Sequence, residues 1–388
     1  MAVTRRTMLK GAGVAAVAVA GGLVWRAFDQ GVFSVGNGPA YEPWSSRRAG
    51  SERSPLRLVG AAILAASPHN TQPWLFHVTD SHIDVYADTR RNIGTIDPYL
   101  REMYMGMGCA LENLLIAAAH DGYATELRLM PDAATPAYAA RIQLSYAAPA
   151  PSALHEAIPR RHTNRGSYDT TRPVPQKLLS ELAGIGADVR EVKVLWFSGE
   201  SERRRVGELI VAATEAIIAD RQQSGDSAKW FRSSRQDLQR LRDGITLDAQ
   251  SLPPFINAMA KILPRVSQEQ ADAAWLQATR ERHVGTAAAF GLLAVPDTQD
   301  NVMRLRGGRL WQRMHLWATT QGLAMQPLNQ MSERADRERQ LGLQPKFGTA
   351  LAELVDGPSL QALMPFRIGY PLSNAGVSPR RDVKSVLL

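Results

Sequence analysis

The segment that most restricts how this chain can fold is Ser67-Pro68-His69-Asn70-Thr71-Gln72-Pro73-Trp74. It joins an Ala/Leu-rich run from Leu56 to Ala66, which reads as a helix, to Leu75-Phe76-His77-Val78, which reads as a strand. Prolines at 68 and 73 lock φ and remove two backbone donors, so the loop between them has few conformations. The amides of Asn70 and Gln72 are expected to stay free to bind a ligand. The plain alternative is an ordinary helix-to-strand turn with a buried Trp74.

The N-terminus pairs Arg5-Arg6 with an apolar Gly/Ala/Val stretch that reaches Val24. A charged start before an apolar segment describes an export signal, here over residues 1–28, and the paired arginines point to the twin-arginine translocase as its carrier. Met8 stands where such signals more often have Phe, and Ala18-Val19-Ala20 suits a signal peptidase. The apolar run continues through Leu23, Val24 and Trp25, so an uncleaved anchor is the second possibility. A cytosolic protein with a chance Arg-Arg pair is the third. Export would place the mature chain in the periplasm or cell envelope. Beyond this segment no apolar run is long enough to cross a membrane. Residues 29–52, rich in Gly, Ser and Pro, read as a linker.

At 388 residues and 45% hydrophobic content the chain can bury one large core or two domains. Cleavage after Ala20 would remove Arg5, Arg6 and Lys10 and lower the net charge from +8 to +5. That mild excess suits an anionic ligand. No basic cluster interleaved with aromatics occurs, so no nucleic-acid partner is expected. The single cysteine, Cys109, cannot form an internal disulfide and reads as a small buried residue.

The chain echoes itself. Gly108 to Gly122 and Gly308 to Gly322 both read as helices closed by glycine at the same spacing, with Leu111, Ile116 and Ala118 matching Trp311, Leu316 and Ala318. The two halves are nevertheless unequal. The first, residues 53–150, has the proline-bounded loop. The second, residues 151–388, opens on Pro159-Arg160-Arg161-His162-Thr163-Asn164-Arg165-Gly166 and has no such loop. Arginine suits phosphate because its planar fork donates paired, charge-assisted hydrogen bonds. An ordinary solvated basic surface is the alternative. Residues 200–300 are helix-rich and read as an insertion in the second half.

Four segments in this order resemble the nitroreductase family. The loop resembles its S-P-x-N-x-Q-P-W, and Arg161-His162-Thr163-Asn164-Arg165 resembles its R-[RH]-[ST]-x-[RK] start. Gly322-Leu323-Ala324-Met325-Gln326-Pro327-Leu328 resembles its G-L-x-x-x-P-[IL], with Asn329-Gln330 where many members have Glu-Gly. Ser378-Pro379-Arg380-Arg381 resembles its terminal basic residues. The resemblance covers roughly residues 53–388 and is weakest over 200–300.

In that family two identical subunits share FMN sites at their interface. Here the two contributions lie on different halves of one chain, as in the Acg-type branch. The resemblance therefore implies an α+β fold of two related sheet-plus-helix halves, fused as a monomeric pseudo-dimer with one complete site and an inactive mirror site. It implies that Arg161, Thr163, Arg165 and Arg380 or Arg381, with His162 among them, hold the FMN phosphate. Ser67, Pro68, Asn70 and Gln72 would touch the ring and ribityl chain, with His69 beside them, and Leu328 and Asn329 would lie near N5. The implied activity is electron transfer to a small quinone-like or nitroaromatic acceptor. NAD(P)H is scarce outside the cytoplasm, which leaves a membrane quinol or a redox partner as donor. The alternative is a non-catalytic FMN store or carrier; a lid formed by residues 200–300 would favour it, and an open cleft would favour catalysis. A structural protein on a decayed enzyme fold would bind no flavin.

Other chemistry finds no motif. The eight histidines show no H-E-x-x-H or Cys/His spacing, so no metal is expected, and His315 reads as a satisfied core residue. Gly11-x-Gly13 and Met105-Gly106-Met107-Gly108 lack the context of a dinucleotide fingerprint. Serine-hydrolase and P-loop signatures are absent from the sequence.

Overall fold

The computed structural model describes residues 22–46, 54–186, 189, 191–355, 357 and 359–388. Arg5-Arg6, the Ala18-Val19-Ala20 site and Gly11-x-Gly13 lie outside the described residues. Among those described, no helix is long and apolar enough to cross a membrane.

The fold is α+β, as expected, with two four-stranded antiparallel sheets. The first contains β1 (Trp74–Val78), β2 (His82–Ala87), β3 (Tyr123–Leu129) and β4 (Tyr138–Tyr146), in the order β1-β2-β4-β3. Between β5 (Lys193–Phe197) and β8 (Ala289–Val295) lies a largely helical segment that carries a short parallel pair, β6 (Phe231–Arg232) and β7 (Ile245–Thr246). The second large sheet adds β9 (Ala324–Pro327) and β10 (Gln361–Gly369), in the order β5-β8-β10-β9. The two orders are the same. In each sheet a 20-residue helix, Arg101–His120 or Asn301–Thr320, leads from the second strand to an edge strand.

Local chemistry sets the ends of these helices. Asp97 accepts from the backbone N–H groups of Glu102 and Met103 and so satisfies two orphan donors of the first helix. Asp300 caps the second through Val302. Gly122 and Gly322 follow them at φ +82° and +69°, the left-handed conformation that glycine takes without steric cost. Both helices start seven residues before the glycines at 108 and 308, which therefore lie mid-helix rather than at helix starts as the sequence suggested.

That position has a purpose. The two helices cross so closely there that a Cβ on Gly308 would overlap the Met105 carbonyl oxygen, and one on Gly108 would overlap that of Leu305. The contact is reciprocal between the halves. Around it Glu112, 1% exposed, accepts from Arg309 Nε (2.9 Å) and Arg313 Nε (2.6 Å). Gln312 donates to Asn113 Oδ1, Asn113 to Ala61 O, and Cys109 Sγ to Gly308 O. Cys109 is buried, and burial pushes its thiol up to about 12, so it packs rather than reacts. One hydrophobic core runs from Trp74, Phe76 and Met107 of the first half to Leu310, Trp311 and Phe366 of the second.

Two segments tie the halves together. The C-terminal tail returns to the first sheet, where Leu388 donates to Phe76 O (2.9 Å). Residues 29–46, read from the sequence as part of a linker, pack instead. Ala40 and Tyr41 are buried, Ala40 N–H donates to Gln239, and Trp44 Nε1 donates to Ser378 O (2.8 Å). Composition suggested a linker because turns and linkers draw on the same residues.

Gly308→Ala should destabilise the protein by about 1–3 kcal/mol or more, because the added methyl meets backbone rather than a movable side chain. A urea midpoint unchanged from the parent would show that this crossing is looser than described.

Candidate functional site

The proline-bounded loop is strained. His69, Asn70 and Gln72 all have positive φ, at +45°, +55° and +53°. Three such non-glycine residues among four cost about 1–3 kcal/mol each and persist only where surrounding contacts impose them. Those contacts are present. Ser67 Oγ accepts from Gln72 N–H (3.0 Å). Asn70 donates to Gly244 O (3.1 Å) and Pro379 O (3.0 Å) and accepts from Arg380 Nη1 (2.5 Å). Gln72 donates to Arg242 O (2.8 Å) and accepts from Arg381 N–H (2.8 Å). The two amides are therefore not free, contrary to the sequence expectation. Sequence distance hid the partners, which lie 170 residues or more away. His69 Nε2 lies 2.8 Å from Ser227 Oγ; burial, and then the charge of Arg165, lower its pKa to about 4. Pro68 and Ser67 rest against Gly106 of the first central helix.

Behind this loop the structure gathers cations. Arg161 is 2% exposed and donates through Nη2 to Leu64 O (3.1 Å), while its Nε and Nη1 find no partner. Arg380, 3% exposed, donates to Leu64 O and Ala65 O, and its Nε also lacks a partner. These carbonyls follow the Pro55–Ala62 helix, whose C-terminal end offers only partial negative charge. Burial, with little to offset it, lowers Arg161 to about 10; burial and Arg161 take Arg380 well below its usual value. Among the described residues no carboxylate pairs with either group.

His162 joins the cluster, its pKa lowered to about 3 by burial, Arg161 and Arg380. Trp44 lies 4.6 Å from the His162 ring and 4.7 Å from the Arg380 guanidinium. His315 is buried next to Arg161 and His162; burial, then Arg161, holds its pKa well below the usual value. It shares a hydrogen bond with the His162 backbone while Nδ1 lacks a partner, so it is a core residue satisfied only in part.

The remaining predicted residues separate. Thr163 is half-buried beside the cluster. Arg165 donates to Ala249 O (3.4 Å) and is lowered by burial to about 10. Arg381 turns away, donating to Gln72 O and Ser385 O, so Arg380 is the terminal arginine that meets Arg161. Leu328 is buried with Val206 and Met331 in a core shared with the helical insertion. Asn329 stands beside Glu102, its Oδ1 buried without a partner.

Sequence reasoning missed three contributors. Trp44 falls within the Gly, Ser and Pro-rich stretch that reads as a linker. Arg367, fully buried, donates to Gln326, Asn164 O and Gly166 O and stacks 3.9 Å over Tyr168, which fixes the backbone between Asn164 and Tyr168. Its strand-like surroundings carried no signal of this. The third is a buried acid pair next to Asn329. Glu102 is raised to about 7 and Glu333 well above its usual value, chiefly by burial, and the two share a hydrogen bond. The histidines also group where spacing gave no sign of it: the ligand atoms of His77, His82 and Asp84 lie within 4.8 Å of one another, as do those of His120, His155 and Glu156.

No protein-family profile matches the chain. It is 27% identical, over 361 residues, to a putative NAD(P)H nitroreductase in each of two strains of Mycobacterium tuberculosis, CDC 1551 and H37Rv, covering 91% of this chain and 95% of each relative. An FMN- and NADPH-dependent nitroreductase from a Sphigopyxis species aligns with 61% of this chain and 97% of its own at 18% identity and a TM-score of 0.38. A nitroreductase with bound FMN from Desulfitobacterium hafniense aligns with the same shares at 13% identity and a TM-score of 0.36.

The acid pair sets a pH dependence. Glu102 titrates near 7 when folded and near 4.5 when unfolded, so its contribution is fully present below about pH 4.5 and lost as pH rises through about 7. Glu102→Gln should flatten that loss in urea unfolding followed from pH 5 to 8; parallel profiles would refute the assignment. In sequence the chain is similar, over nine-tenths of its length, to two mycobacterial proteins that carry the name of putative nitroreductases.

Proposed function

We propose that the chain binds FMN between its halves and works as an FMN-dependent oxidoreductase of the nitroreductase type, delivering electrons to a small quinone-like or nitroaromatic acceptor. The observation that carries the reading is the buried pair Arg161 and Arg380, with three nitrogens unpartnered and no carboxylate partner among the described residues. Buried charge is stable only when paired, so this cluster calls for an anion. A flavin phosphate supplies it. Arg161 and Arg380 would hold that phosphate, with Thr163 and His162 at its rim, and the strained Ser67–Gln72 turn would orient the rest of the molecule. Bound FMN supplies reversible two-electron chemistry; the protein supplies placement, charge and exclusion of water. The mycobacterial relatives' name supports the reaction class.

The shared strand order and the reciprocal helix crossing support a fused pseudo-dimer of the Acg-type. Its mirror site would lack both the basic start and the proline-bounded loop and would be inactive. Arg5-Arg6 supports export through the twin-arginine translocase, which would leave a membrane quinol or redox partner as the donor.

A second reading, FMN storage, is favoured by the insertion. Ser227, Arg242, Gly244 and Ala249 hydrogen-bond directly to His69, Gln72, Asn70 and Arg165, an arrangement suited to a closed lid. Photoreduced protein reoxidised by a soluble quinone within seconds would favour catalysis, and reoxidation limited by slow opening would favour storage.

Purified protein should be yellow and release about one FMN per chain on denaturation. Arg161→Ala should lose at least one charged hydrogen bond, costing roughly 1.5–3 kcal/mol of FMN affinity. Near-parental affinity in a titration would sink the phosphate assignment. Two FMN per chain would refute the inactive mirror site.

A further inference from the structure

On the outer face of the first sheet three side chains converge that the flavin reading does not use. His77 on β1 stands directly opposite Asp84 on β2 in the antiparallel register. His82 lies two residues before Asp84 on the same strand, and the two-residue period of a strand puts all three on one face. His77 Nδ1 is 3.8 Å, and His82 Nε2 3.5 Å, from the same atom, Asp84 Oδ2. All three ligand atoms lie within 4.8 Å of one another. Bonds of 2.0–2.1 Å to a tetrahedral ion set ligand atoms about 3.3–3.4 Å apart, so small side-chain rotations would close the set.

The surrounding bonds orient these atoms as supporting groups orient metal ligands. His82 Nδ1, the nitrogen facing away, lies 3.0 Å from Thr79 Oγ1 and 3.3 Å from Ser81 Oγ. Asp84 Oδ1 accepts from Tyr138 Oη (2.5 Å) and Arg141 Nε (2.7 Å). Oδ2 accepts from Arg141 Nη2 (2.8 Å), which leaves its second lone pair for the imidazole side. Arg141 is the opposing charge, and with its side chain 43% exposed it can swing towards water. His77, 51% exposed, leaves an open approach and room for water as a fourth ligand. The second histidine group lacks this convergence. His120 and His155 stack 3.6 Å apart with rings 14° from parallel, so their in-plane lone pairs do not point to one centre.

We propose that His77, His82 and Asp84 form a binding site for one divalent ion of the zinc type. Two imidazoles and one carboxylate suit zinc, copper or nickel better than the oxygen-preferring calcium or magnesium. The ion would clamp β1 to β2. The proline-bounded loop leads into β1, and Phe76 on it receives the chain's C-terminal residue.

The test is calorimetric titration of zinc chloride into full-length protein stripped with a chelator, paired with the absorption spectrum of the cobalt(II) form. One equivalent of zinc and an intense tetrahedral cobalt spectrum are expected. His77→Ala and His82→Ala should each weaken binding at least tenfold, and Thr79→Val roughly 10–100-fold. His155→Ala should leave binding unchanged. Circular dichroism reports whether each variant folds, and the exposed His77→Ala keeps the test decisive if a buried position fails. Absence of binding by the parent protein, or binding fully retained in the His77→Ala, His82→Ala double variant, would overturn the proposal.

Discussion

The rest of the architecture depends on the crossing of the helices Arg101–His120 and Asn301–Thr320. Glycine at 108 and 308 lets backbone meet backbone, and that distance fixes how closely the two sheets approach one common core. The polar pairs beside the crossing, Glu112 with Arg309 and Arg313 and Asn113 with Gln312, then have a single register in which all partners are satisfied. Packing at this distance is intolerant of one extra methyl group. Precise placement of the loop against the cations of the other half follows from it, because Ser67 and Pro68 rest on Gly106, two residues before the crossing.

Charge is sorted across the molecule. Among the described residues no carboxylate pairs with Arg161 or Arg380; burial lowers both, Arg161 lowers Arg380 further, and the two guanidiniums lower His162. The acids collect instead beside Asn329, where burial raises the proton affinity of both Glu102 and Glu333. A buried cationic cluster left to itself is costly, and a bound anion relieves that cost by meeting the unpartnered guanidinium nitrogens. The strain in the loop belongs to the same design. Residues from three distant segments, around 242–249, 379–381 and 67–72, hold one another in a conformation that none would take alone.

Much of this was legible in the sequence. The proline-bounded loop, the basic start of the second half and the paired helices are local patterns, and local sterics and hydrophobic period decide them. The C-cap glycines at 122 and 322 were read correctly because a left-handed turn leaves a residue signature. Other features had none. Trp44 falls in the stretch that reads as a linker, Arg367 lies in a strand with no motif of its own, and His77, His82 and Asp84 match no metal-ligand spacing.

The sequence by itself determined which segments become helix, strand or fixed loop, and that one half carries the loop and the other the arginines. The tertiary structure alone decided which arginine meets Arg161, which atoms hold the amides of Asn70 and Gln72, and where buried charge remains unpaired. The physical reason is separation along the chain. Period and turn chemistry act over a few residues, whereas Asn70 meets Arg380 across 310 residues, through a packed core that fixes their distance.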